Sequence, residues 1–174
     1  MKPELTKNKS HREIMLPRWA IPIVWAVIVL VIQILLPWAI SMFGPRFGWS
    51  HLTPAFWNIT GLVAIVIGLT LYAWCLAFHF KSYHASVRVG FSPPHLVIAG
   101  PYTVSRNPMY MSGLFVWFGW TIFCGSPAIF IALVILFLIF SCRIIPQEER
   151  QLEVLFGDDY LEYKRLVRRW IGRF

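Results

Sequence analysis

The sequence predicts an all-α integral membrane protein with four transmembrane helices, the last two forming a C-terminal helical hairpin, followed by an amphipathic cytoplasmic tail helix. Three observations carry that expectation. The 174-residue chain is 57% hydrophobic and 14% charged, with a mean hydropathy of +0.61, whereas soluble domains are about 25% charged. Its apolar residues lie in long runs without a formal charge. Its Lys and Arg residues collect at the flanks of those runs, and mostly at alternate flanks.

A single membrane domain over 1–174 is expected. The basic N-terminus is followed by an apolar stretch longer than a signal-peptide core and without a small-residue cleavage site, so the first helix is expected to be retained. The first uncharged run, Trp19 to Pro45, holds a span near 20–42, because about 20 apolar residues cross the hydrocarbon. Pro22 falls in its first turn, where a missing N–H is harmless, and Pro37 predicts a kink. In the next run, Phe47 to Phe80, the segment Gly48 to Pro54 reads as a loop. A helix over about 55–80 follows, with Trp57 and Tyr72 to Trp74 as interfacial anchors. The third run, Asn107 to Cys142, has 36 uncharged residues. As one helix it would reach roughly 54 Å, too long for a bilayer core of about 30 Å. Gly125-Ser126-Pro127 divides it into spans at 108–124 and 127–145.

Charge supplies the orientation. Lys2, Lys7, Lys9, Arg12 and Arg18 precede the first span, and Lys81, Arg88 and Arg106 occupy the middle loop, 81–107. Seven more, from Arg143 to Arg173, lie at or beyond the end of the last span, while Arg46 stands alone on the opposite side. Four spans thus place fifteen of the sixteen basic residues on one face, which the positive-inside rule makes cytoplasmic. Both termini are expected there, at the inner or plasma membrane of a bacterium or the endoplasmic reticulum of a eukaryote. The formal charge of +8 therefore points to anionic lipid headgroups and not to nucleic acid. In the tail, 147–172, Leu152, Leu155, Phe156, Tyr160, Tyr163, Val167 and Trp170 recur at helical spacing and form one apolar face. Gly157-Asp158-Asp159 interrupts it. Cys75, Cys124 and Cys142 lie singly in apolar segments, so neither a metal site nor a disulfide framework is expected.

Two polar clusters are not explained by topology: the stretch from His95 to Tyr110, and Arg143 to Arg150. The proposed hairpin starts at one and ends at the other, which brings both to one cytoplasmic pocket at the membrane edge. Each has a plainer explanation. Gly100-Pro101-Tyr102 and Asn107-Pro108 suit turns and a helix start, Glu148 and Glu149 suit a first helical turn, and Arg106 and Arg143 suit snorkelling flanks. Gly113 and Gly119 suit close helix packing.

Together, Gly100-Pro101-Tyr102, Arg106-Asn107-Pro108-Met109-Tyr110, a hairpin, and then Glu148-Glu149-Arg150, Leu152-Glu153, Phe156-Gly157-Asp158-Asp159-Tyr160 and Tyr163 strongly resemble the isoprenylcysteine carboxyl methyltransferase and phospholipid methyltransferase family. The resemblance covers nearly half the chain. It implies an enzyme, a membrane methyltransferase that uses S-adenosyl-L-methionine. The donor would be held by His95, Leu96, Val97, Gly100, Tyr102, Arg106, Asn107, Pro108, Tyr110, Glu148 and Glu149, with Arg106 and Arg143 in positioning roles. A glutamate would accept hydrogen bonds from the donor's amino group or ribose, an arginine would pair with its carboxylate, and Tyr102 and Tyr110 would flank the adenine or the methyl. The acceptor would be lipid-like, or small and apolar, entering from the bilayer. Carboxylate O-methylation is slightly favoured because it needs no base; phospholipid N-methylation and thiol methylation stay open. A transporter, or a non-catalytic anchor or assembly protein, is the competing class.

Overall fold

The computed structural model describes residues 20–82 and 95–174; the basic N-terminal tail and loop residues 83–94, Arg88 among them, lie outside the described residues. Helix α1 is α-helical over Ala20–Leu30, widens to a π-turn over Val31–Leu35 and resumes over Leu36–Ile40. Pro37 is the cause. It has no N–H and its ring collides with the carbonyl four residues back, here that of Gln33. The widened turn relieves the collision: the Leu36 N–H reaches back to the Val31 carbonyl, and the Trp120 indole donates to the freed Gln33 carbonyl at 2.8 Å. Where the sequence predicts a kink, the chain forms a π-turn.

A short ribbon follows, β1 (Trp49–Ser50) antiparallel to β2 (Thr53–Pro54). Then come α2 (Phe56–Ser82), α3 (Pro108–Cys124) and α4, which runs over Pro127–Ile139, a second π-turn at Phe140–Ile144, and Ile145–Phe156. The second π-turn stands in the same relation to Pro146 as the first does to Pro37. Finally, α5 spans Asp158–Leu166. Among the described residues, three stretches are long and apolar enough to cross a membrane: Ile23–Ile40, Phe56–Phe78 and Pro127–Phe156. Their outward residues are apolar and exposed, including Val27, Val63, Val66, Phe130 and Ile131, as a lipid-facing surface requires. At 17 residues, α3 is the shortest of the four long helices.

α2 and α3 touch backbone to backbone. A Cβ at Gly61 would fall 2.4 Å from the Phe123 nitrogen, and one at Gly119 would fall 2.7 Å from the Gly61 carbonyl oxygen. Small residues of this kind let helices associate in lipid, where no hydrophobic force pulls them together. The α3–α4 turn is closed by Gly125, whose left-handed φ of +57° ends α3. The first loop seals it: Phe47 N–H donates to the Gly125 carbonyl at 2.9 Å, and the buried Asn58 amide donates to the Ile122 and Phe123 carbonyls at 2.9 and 3.1 Å. These last-turn carbonyls would otherwise be orphaned.

Two boundaries differ from those the sequence suggests. The last span and the start of the tail form one continuous helix to Phe156, because the π-turn absorbs Pro146. The tail's helix stops at Leu166 instead of continuing to 172. There Val167 turns extended and bridges Arg173, and Gly172 N–H donates to the Val104 carbonyl at 2.8 Å. The C-terminus thus clasps the loop that precedes α3.

Candidate active site

The clasp fixes the loop residues. Ser105 Oγ donates to the Arg169 carbonyl at 3.2 Å and accepts from the Asn107 N–H at 3.0 Å. Asn107 stands at the N-terminus of α3, but its side chain makes no cap bond there; its amide donates to the Arg169 carbonyl at 3.2 Å. Tyr163, on α5, donates to the Tyr102 carbonyl at 2.7 Å. Burial raises the Tyr160 and Tyr163 phenols above the ordinary tyrosine range, so both remain neutral.

The two glutamates of α4 have separate roles, since neighbours on a helix point about 100° apart. Glu149 is buried between two arginines, 3.0 Å from Arg106 Nη2 and 2.7 Å from Arg169 Nη2. The Glu149 hydrogen bond holds the Arg169 guanidinium above its ordinary pKa. Arg106 also donates to the Lys164 carbonyl at 3.2 Å, while its buried Nε has no partner among the described residues. Glu148 is in none of these ion pairs and accepts the Tyr110 hydroxyl at 2.6 Å.

These groups border a cavity of about 770 Å³, within the range of small-molecule sites. Leu96, Val97, Tyr102, Arg106, Asn107, Pro108, Tyr110, Glu148 and Glu149 all line it. Beyond Tyr110 it continues between the helices, walled by Trp25, Ile28, Trp117, Leu136 and Phe140. Three sequence candidates stand elsewhere. Gly100 (φ +61°) packs its backbone on the Phe78 ring, so it shapes the loop. His95 borders a separate hollow with Ile98 and Thr103. Arg143 is exposed, in a groove with Gln147 and Arg150 on another side of α4. Sequence reasoning missed Arg169, Tyr72 and Gln33, of which Tyr72 and Gln33 line the cavity.

The chain matches the family model for phospholipid methyltransferase over residues 56–159. It belongs to that family. The matched region holds α2, α3, α4 and the cavity residues from Tyr72 to Leu155, but not Gln33, Tyr160 or Tyr163. A probable protein-S-isoprenylcysteine O-methyltransferase of rice (Oryza sativa subsp. indica) is 29% identical over 130 residues, 68% of each chain. Protein-S-isoprenylcysteine O-methyltransferase B of Arabidopsis thaliana is 30% identical over 62% of this chain and 55% of its own. An uncharacterized protein of Haemophilus influenzae is 38% identical over 63 residues, its entire length but 36% of this chain. No solved structure matches significantly. Membership, with the apolar helices, makes the protein an integral membrane methyltransferase-family member.

A methyl donor that carries a cation, an anion and an aromatic ring would find matching chemistry among the residues that line this cavity. Glu148, in no ion pair among the described residues, offers a carboxylate to a cationic group. Arg106 borders the same space for an anionic one, and Leu96, Val97 and Tyr102 supply apolar and aromatic wall.

Proposed function

We propose that the protein transfers a methyl group from S-adenosyl-L-methionine to a lipid-like acceptor at the cytoplasmic edge of the membrane. One observation carries this above the others: a single cavity joins the Tyr102-to-Tyr110 loop and Glu148 to an apolar channel between helices. Four spans with both termini cytoplasmic put that rim on the side where fifteen of the sixteen basic residues lie.

When bound, the donor supplies an electrophilic methyl on a sulfonium, open to in-line displacement by the acceptor's lone pair. The chain's own contribution is placement and exclusion of water. Glu148, held by Tyr110, accepts from the donor's ammonium or ribose through a charge-assisted bond, which is short and strong in a site poor in water. Arg106, already fixed by Glu149, would pair with the donor's carboxylate. Leu96, Val97 and Tyr102 would supply the apolar and aromatic contact for the adenine. Arg143 has no place in this arrangement.

A carboxylate acceptor is favoured. It attacks without losing a proton, and among the described residues no histidine lines the cavity to take one. The family-model description favours phospholipid amine methylation as the second reading. Methyl-labelled donor and the protein in lipid vesicles separate the two: label released as methanol by mild base marks an ester, and base-stable label in lipid marks an amine. Absence of any protein-dependent label in lipid-soluble products would refute both.

A further inference from the structure

Gln33 is the one hydrogen-bonding side chain other than tryptophan between Ala20 and Ile40, and it is only 7% exposed. Its Oε1 is buried with no partner among the described residues, although buried polar groups are almost always paired. The residue is also held with unusual care. Pro37 and the π-turn free its carbonyl, Trp120 takes that carbonyl, and π-turns recur at functional sites. Gly113 gives its side chain room: a Cβ there would stand 2.7 Å from Gln33 Nε2.

Both residues line the cavity. Gly113 is three residues beyond Tyr110, about 4.5 Å farther along α3, so the amide lies roughly one turn deeper than the Tyr110–Glu148 pair. Trp25, Ile28, Trp117, Leu136 and Phe140 give the same cavity its apolar wall. A buried hydrogen-bond acceptor without a partner among the described residues thus belongs to a side chain that lines the cavity.

We infer that Gln33 is a specificity-determining residue for the methyl acceptor, its Oε1 receiving an N–H or O–H borne on the acceptor's polar end while the channel holds the tail. This rests on the proposal that the cavity takes an amphiphilic acceptor. A donor group beside the reacting atom satisfies the stranded oxygen. An amphiphile without one leaves it stranded and binds more weakly.

The test uses two probes, N-dodecanoylglycine and N-dodecanoyl-N-methylglycine, in which a methyl group replaces the N–H, titrated into the full-length protein in lipid nanodiscs without donor. Wild type is expected to bind the N–H probe about tenfold more tightly, the effect of one buried hydrogen bond. Gln33→Leu should bind both alike, and Gly113→Ala, which displaces the amide, should also lose the preference. Equal binding of the probes by wild type, no binding of either, or a preference that survives in Gln33→Leu would overturn the inference. Donor titration of the same samples reports separately on the proposed reaction: wild type that binds S-adenosylmethionine but does not discriminate between probes sinks the Gln33 role alone.

Discussion

The buried triad of Arg106, Glu149 and Arg169 offers the sharpest perturbation. Glu149→Leu removes the carboxylate that neutralises Arg106, whose side chain is 8% exposed. An uncompensated buried charge destabilises by about 3–5 kcal/mol. Arg169 adds little to that figure, because its side chain is 35% exposed and solvent screens it. A chain of this size loses roughly 2–4 °C of melting temperature per kcal/mol, so the expected drop is on the order of 10 °C. Thermal unfolding in detergent, followed by the emission of the nine tryptophans, reads it. Adding Arg106→Leu removes the stranded charge, so the double variant should recover part of the loss. A Glu149→Leu protein that melts with wild type, or a double variant less stable than the single, would refute the claim that this glutamate is structural.

Glu148 should behave oppositely. Glu148→Gln is expected to leave the melting temperature unchanged and weaken S-adenosylmethionine about tenfold or more, the effect of losing a hydrogen bond to a charged group; isothermal titration checks it. Tyr110→Phe deletes the 2.6 Å bond that aims Glu148 and should weaken the donor roughly fivefold, as one ordinary hydrogen bond does. Gly61→Ala places a carbon 2.4 Å from the Phe123 nitrogen, and the forced separation of α2 and α3 should destabilise by about 1–3 kcal/mol in the same melting assay. Tyr163→Phe releases the Tyr102 carbonyl and should destabilise by about 1 kcal/mol, with faster amide exchange at Val104 to Arg106 by mass spectrometry.

Much of this architecture was legible in the residues. Gly125-Ser126-Pro127 marked the hairpin because a left-handed stop followed by a proline start leaves few alternatives. Pro37 marked the first irregular turn, though not that the turn widens without ending its helix, and the turn before Pro146 was not foreseen. The pairing of loop and α4 followed from topology. The division of labour between Glu148 and Glu149 did not, since adjacent acids look alike until the packing fixes which one meets an arginine. Arg106 also pairs with the carboxylate of Glu149, a contact between loop and helix that neither local sequence displays. Helical spacing continued to Trp170, yet the helix ends at Leu166 because Val104 and Gly172 bond across to each other, a long-range contact that local periodicity does not register. Gln33 did have a signal, a lone amide in an apolar run, and such residues inside membranes are seldom idle.

The central claim is that Glu148 and the Tyr102-to-Tyr110 loop hold one nucleoside at the cytoplasmic rim. Titration of the purified full-length protein with S-adenosylmethionine tests it most directly. Saturable one-to-one binding that weakens in Glu148→Gln is the predicted result. No binding heat with wild type, or identical isotherms for the two proteins, would contradict it.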